Sequence, residues 1–265
     1  MSGPTHQLAD PHTQIYVGDC REILGKLSSS GVKADLIFAD PPFGIGQNYI
    51  GYDDHKSALD NVDFTTDWIL ACLNILSPTG SMWVNVPDSM AVLVNNIMTD
   101  YEEGLTLVNW CIWHYRFGQC NDSRFISSHT HALYFARDIK RRTWNPDAIL
   151  VPTDRASKYN DKRTQETRRP GKRVPLDVWY GRGLGRIQGN NKERRKGHPN
   201  QIPELYMRRV IAACSDEGDL VLDPFLGSGT TSVIARAMNR RSIGIEISEA
   251  SAASAFERIK GGTVR

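Results

Sequence analysis

Two stretches of the sequence end an apolar run in Asp-Pro: DLIFADPPF (residues 35–43) and DLVLDPF (219–225). Proline cannot donate to a sheet ladder, so each Asp-Pro ends its strand and leaves Asp40 and Asp223 at the carboxyl end, the rim where open α/β sheets bind ligands. The second stretch continues as LGSGTT, in which Gly227 and Gly229 permit a tight turn and close backbone approach before a helix begins. No lysine follows Gly229, so this is not a phosphate-cradling P-loop, and the third glycine of the dinucleotide fingerprint is replaced by Ser232. Glu246 closes the next strand seventeen residues after Gly229, about where an acidic side chain holds a ribose diol. The set suits a nucleoside without a pyrophosphate better than a dinucleotide.

These residues need a sheet to hold them, and the rest of the chain supplies its parts. QIYVGD (14–19) reads as a strand, CREILGKLSS (20–29) as a helix with Ile23, Leu24 and Leu27 on one face, and DLIFAD (35–40) as a continuous apolar strand buried on both sides. FTTDWILACLNIL (64–76) has helical spacing, with Thr65 or Thr66 and Asp67 near its start. Further strands are expected at 81–86, 107–115, 131–137, 219–223 and 242–247, and helices at 90–101, 202–214 and 230–239. His198 and Pro199 open the 202–214 helix, where Asn200 either caps the helix or meets the ligand. Strands separated by helices imply right-handed crossovers and an α/β fold, a doubly wound, mostly parallel sheet with helices on both faces.

With 265 residues and 40% apolar content, the chain can fill a large core. No apolar run approaches the roughly 20 residues of a membrane span. MSGPTHQLADPHT, residues 1–13, has neither an apolar signal core nor an Arg-rich pattern and is expected to be a loose leader of an intracellular protein. Cys20, Cys72, Cys111, Cys120 and Cys214 are scattered and odd in number, which favours ordinary reduced thiols over disulfides or zinc. His114, His129 and His131 lack metal-ligand spacing, so no metal is expected. The net charge of +2 conceals a basic segment: residues 137–196 hold 18 Lys and Arg against 7 Asp and Glu. Trp144, Tyr159, Trp179 and Tyr180 are interleaved with these charges, a mixture suited to phosphate contacts and base stacking.

The blocks DPPF and DPFLGSGTT, in that order, resemble the amino-group DNA methyltransferases that use S-adenosylmethionine, in the subgroup whose catalytic block precedes the recognition region. The resemblance runs from about residue 14 to 260. VGDC (17–20) is similar to the acidic block that touches the cofactor's adenine, HPNQIPELYMRRVI (198–211) to the segment that opens the cofactor half, and RFISSHTHALYFAR (124–137) to the segment before the recognition region. Where relatives often have His-Glu, this chain has His129-Thr130.

The resemblance implies a Rossmann-like methyltransferase domain in two pieces, 14–136 and 197–265, around a target-recognition insert, 137–196. It implies that Asp40 and the Pro41 carbonyl accept the two N–H bonds of an exocyclic amino group, that Pro42 stiffens the turn, and that Phe43 stacks on a base flipped out of double-stranded DNA. Asp19, Cys20, Asp40, Asn200, Asp223, Phe225, Gly227, Ser228, Gly229, Thr230, Glu246 and Ile247 are its expected cofactor contacts. Asp19 has capping the helix that starts at Cys20 as its alternative role, Asp223 could equally fix the glycine turn, and Tyr49 and Tyr52 could close over the substrate or lie on the surface. Asp before Pro-Pro-aromatic points to adenine N6. Cytosine N4, RNA or a protein amide is the alternative acceptor, and a DNA-binding protein without turnover the alternative class. The setting implied is a restriction-modification enzyme of a bacterium or phage, acting in the cytoplasm, with a homodimer left open.

Overall fold

The computed structural model describes residues 3–262 apart from 11, 45, 47–50, 56, 101–103, 117, 119–121, 196 and 199. Tyr49, Cys120 and Pro199 lie outside the described residues. In chain order the elements are β1 (His6–Leu8), β2 (Thr13–Val17), α1 (Cys20–Ser29), β3 (Ala34–Ala39), α2 (Ala58–Ile75), β4 (Leu76–Val86), α3 (Asp88–Asp100), β5 (Thr106–His114) and β6 (His129–Ala136). The basic segment adds short pieces, among them β7 (Val151–Pro152), α4 (Asp154–Ser157), β8 (Lys172–Arg173) and β9 (Val178–Trp179). The chain then continues through α5 (Glu204–Cys214), β10 (Leu220–Asp223), α6 (Thr230–Ala237), β11 (Arg241–Glu246) and α7 (Glu249–Gly261).

Nine strands form one sheet in the order β1-β2-β11-β10-β3-β4-β6-β5-β9. The centre, from β2 to β4, is parallel, and β6 runs antiparallel to both β4 and β5. Period-two alternation splits the core between the two faces. Ile37 and Ala39 of β3 pack with Leu24, Trp68 and Val94 from α1, α2 and α3, whereas Leu36 and Phe38 pack with Tyr206, Val210 and Ile234 from α5 and α6. Among the described residues no helix is long and apolar enough to cross a membrane.

Several expectations need correction. The stretch expected to be a loose leader contains β1, whose His6–Leu8 pair antiparallel with Thr13–Ile15 of β2. Helix α2 starts at Ala58 rather than 64, because Ser57 accepts the Asp60 backbone N–H and caps it there. β4 starts at Leu76, directly after α2. A last helix, α7, was not expected; Ser248 caps its start, Gly262 ends it in the left-handed region, and Ala252, Ala255 and Ile259 bury against Ile15, Leu226 and Val233. The insert is also less separate than its composition implies, because its β9 adds to the main sheet beside β5.

Candidate active site

The two Asp-Pro stretches meet because β3 and β10 are neighbouring parallel strands, with Val221 paired to Leu36 and Leu222 to Ile37. Asp40 follows β3 and Asp223 ends β10, and both open on one cavity of about 320 Å³. Pro41, Pro42 and Phe43 continue that wall, and Tyr52, Phe64 and Phe225 form an aromatic side of it. Phe225 is held edge-on by Trp68, with ring centroids 5.3 Å apart. Asp19, Cys20, Asn200, Gly227, Ser228, Thr230, Glu246 and Ile247 also line the cavity. Gly229 does not. It sits behind the loop at φ 77°, where a Cβ would come within 3.1 Å of the Ala255 Cβ, so its role is the turn and the close approach of α7.

The loop between β10 and α6 is held from three sides. Asp223 accepts the Phe225 N–H at 2.9 Å. Glu246 accepts the Gly227 N–H at 2.9 Å on one oxygen and the Ser248 N–H at 3.0 Å on the other. Behind the loop, the Arg258 guanidinium donates to the Ser228 carbonyl, the Ser228 hydroxyl and the Thr230 hydroxyl. Asp223 and Glu246 are thus turn-fixing groups that also face the cavity.

At the other side of the cavity, Asp19 caps α1 by accepting the Arg21 N–H, and the Arg21 guanidinium forks onto both of its oxygens. Asn200 does not cap α5. That helix starts at Glu204, and the Glu204 N–H donates to the Glu193 carboxylate of the insert at 2.9 Å. Asn200 instead accepts from Arg186, also of the insert, at 2.7 Å.

Burial pushes the Asp40 carboxyl up to about 7, helped by Asp223 and opposed by the Asn85 amide and Arg186. Asp223 is pushed up to about 6, again by burial, with the Thr231 hydroxyl and the Phe225 N–H pulling the other way. Burial raises Glu246 and lowers His198.

Three groups of residues behave differently from the sequence-based reading or were missed by it. Trp179 is not available to stack on bases: it is 5% exposed and packs edge-on against Tyr206, while Tyr159 and Tyr180 are exposed. His129 and His131 both approach Asp88 Oδ1, at 3.1 and 2.7 Å. Trp110 donates its ring N–H to His131 Nδ1, so His131 Nε2 carries the proton that goes to Asp88. Asn85 and Thr130 were missed, although Asn85 Nδ2 lies 2.7 Å from Asp40 Oδ1 and the Thr130 hydroxyl donates to Asn85 at 3.0 Å. The available signal was a polar residue interrupting the apolar run SMWVNV near its end. Thr130 therefore adjoins the site at the position where the resemblance leads one to expect Glu.

The family model described as DNA methylase matches residues 34–257. The chain is 32% identical over 225 residues to the type II methyltransferase M.HpaI of Haemophilus parainfluenzae, covering 85% of this chain and 68% of that one. It is 33% identical over 240 residues to the DNA adenine methyltransferase YhdJ of Escherichia coli K12, covering 88% and 78%. The fold is similar to the M1.HpyAVI complex with SAM, with a TM-score of 0.64, 20% identity and coverage of 93% and 98%. It is also similar to the PvuII DNA methyltransferase described as cytosine-N4-specific, with a TM-score of 0.66, 18% identity and coverage of 94% and 90%.

Proposed function

The chain belongs to the DNA methylase family, and we propose that it is a site-specific methyltransferase that transfers a methyl group from S-adenosylmethionine to N6 of an adenine flipped out of double-stranded DNA. One observation carries this reading: the Asp40-Pro41-Pro42-Phe43 turn and the Asp223 loop share a single cavity.

The donor set fits the cofactor. Asp40, Asp223 and Glu246 give the cavity an excess of acceptors, and the Arg21 guanidinium beside them is occupied by Asp19 and Asp67. Such a site favours a cationic ligand with hydroxyl donors and a flat base. We assign Glu246 to the ribose hydroxyls, Asp19 and Cys20 with Phe225 and Ile247 to the adenine end, and Asn200, Gly227, Ser228 and Thr230 to the methionine end, with Gly229 shaping the loop. When bound, S-adenosylmethionine supplies a methyl group on a sulfonium, which leaves readily.

The protein's own task is alignment. Asp40 accepts one N–H of the adenine amino group and the Pro41 carbonyl the other, which localises the nitrogen lone pair and aims it. Pro42 stiffens the turn, and Phe43 stacks on the base, a contact of about 1–3 kcal/mol. Adenine rather than cytosine is supported by the Asp that precedes Pro-Pro-Phe and by the name of the YhdJ relative. Contacts to DNA are assigned to the basic insert, and the DNA substrate puts the protein in the cytoplasm of a bacterial or phage-infected cell. A homodimer remains part of this proposal only as a state to be measured by light scattering.

Digesting DNA methylated by the purified protein to nucleosides and weighing them tests the reading, with N6-methyladenine expected. Asp40→Ala should lose at least about a hundredfold in rate when measured with the cofactor at saturating concentration. N4-methylcytosine as the product would overturn the adenine assignment, and near-normal turnover by Asp40→Ala would overturn the role of Asp40.

A further inference from the structure

Asp40 is held by a hydrogen-bonded chain that crosses two neighbouring strands. One step beyond the Ala39–Val84 pair of β3 and β4, Asn85 donates from Nδ2 to Asp40 Oδ1 at 2.7 Å. On β6, Thr130 donates its hydroxyl to Asn85 Oδ1 at 3.0 Å. Asn85 is 2% exposed and Thr130 7%. All three lie on the sheet face covered by α5. Going inward along the same alternate positions come Phe38 on β3, Trp83 on β4 and Tyr134 on β6, with the last two rings stacked 4.5 Å apart. A polar rim thus rests on a packed aromatic floor.

While Asp40 is ionised, the polarity of this chain has only one sense. A carboxylate accepts, an amide has one donating and one accepting end, and Thr130 gives its proton to the accepting end. Turning the amide over would set its oxygen against the Asp40 carboxylate. Asn85 therefore occupies Asp40 Oδ1, and among the described residues Oδ2 has no hydrogen bond.

We propose that Asn85 is a positioning residue for methyl transfer, holding Asp40 ionised with Oδ2 presented to the amino group, and that Thr130 fixes Asn85 in the orientation that does this. The proposal rests on the role given to Asp40 above. The charged and titratable groups that face Asp40 are Asp223 from β10, Arg186 from the insert and the buried Tyr206 from α5. Asp223 and burial favour the protonated acid, while Arg186 and the Asn85 amide favour the carboxylate. Asn85 is the neighbour in direct contact, and removing it removes a hydrogen bond that only the ionised form fully uses.

The test is the pH dependence of single-turnover methylation by full-length protein saturated with S-adenosylmethionine and duplex DNA. Asn85→Leu and Thr130→Val should move the acid limb of the profile upward, by about one pH unit for Asn85→Leu and less for Thr130→Val. They should also slow the plateau rate, by about tenfold for Asn85→Leu. Thr130→Ser should return the wild-type midpoint, and cofactor affinity measured by calorimetry should stay within about twofold of wild type. Should Asn85→Leu fail to fold, Thr130→Val and Thr130→Ser decide the matter. An unmoved midpoint in folded variants, whatever their rate, overturns the positioning role. Asp40→Ala run alongside separates the two ideas. Turnover retained there refutes the assignment of Asp40, whereas turnover lost there with an unmoved midpoint in the Asn85 and Thr130 variants refutes only the relay.

Discussion

Arg258 on α7 and Glu204 at the first turn of α5 form an ion pair 3.0 Å long, with both side chains only 4% exposed. The pair joins two helices to Ser228 of the glycine loop and Thr230 at the start of α6, since the same guanidinium binds both of those residues. Arg258→Met takes the guanidinium away from the buried Glu204 carboxylate and from Ser228 and Thr230 at once and should cost about 3–5 kcal/mol of stability. Adding Glu204→Leu should recover part of that loss. Urea unfolding of the single and double variants checks both expectations.

Acid should slow the reaction through Asp40. Its carboxyl is raised from 3.8 to about 7, so the single-turnover rate should fall below about pH 7 in proportion to the ionised fraction. The stability consequence has the opposite sense. Between those two values the unfolded chain has released the proton that the folded protein still holds, so stability falls as pH rises through the window. Asp40→Asn should flatten this dependence, leaving the smaller contributions of Asp223, whose folded value is about 6, and of Glu246, Glu193 and Asp219, which burial also raises. Denaturant midpoints for wild type and Asp40→Asn across pH 4.5 to 8, about the range over which these groups titrate, provide the measurement.

Glu246→Ala should raise the cofactor dissociation constant by about 10- to 100-fold, the size of one or two hydrogen bonds to a charged group. Duplex affinity should hardly change. The substitution also strips acceptors from the Gly227 and Ser248 N–H groups. Glu246→Gln, which keeps one accepting oxygen, should therefore lie between Ala and wild type in calorimetric titrations.

Exposed cations of the insert should set the salt dependence of DNA binding. Replacing Lys162, Arg182 and Lys192 by Ala should lower the slope of log affinity against log salt by about 0.9 for each phosphate left without its cation. Methylation at saturating DNA should be unaffected. Fluorescence anisotropy between about 50 and 200 mM salt covers the useful range.

The parts of this molecule that could be read from its sequence are those in which local chemistry and tertiary role coincide. Asp40 and Asp223 were legible because Asp-Pro both ends a strand and leaves a carboxylate on the rim. Helix α2 was only half legible, because Leu59 and Val62 of its first turns, ALDNVD, stand alone among polar residues and are exposed, and the buried stripe begins only at Phe64. Helix α7 escaped for a related reason: its buried stripe is Ala252, Ala255 and Ile259, and small side chains give a faint pattern. Asn85 and Thr130 are 45 residues apart and meet only through the β4–β6 pairing. Trp179 looked like a base-stacking residue from its basic neighbours, but the aromatic cluster around Tyr206 buries it.

Strand β9 gives the basic insert, proposed above to contact DNA, a second obligation. Its two residues pair with Ile112 and Trp113 along the outer side of β5, and Ile112 also donates its N–H to the Asp177 carbonyl. Without them, that margin of the sheet would present bare N–H and C=O groups to any other extended chain, a template for unwanted association. Grafting a foreign specificity segment between residues 137 and 196 therefore carries a solubility requirement alongside the sequence-reading one. A transplant that brings no cover for β5 should yield a hybrid that aggregates even when its DNA-contacting residues are well chosen.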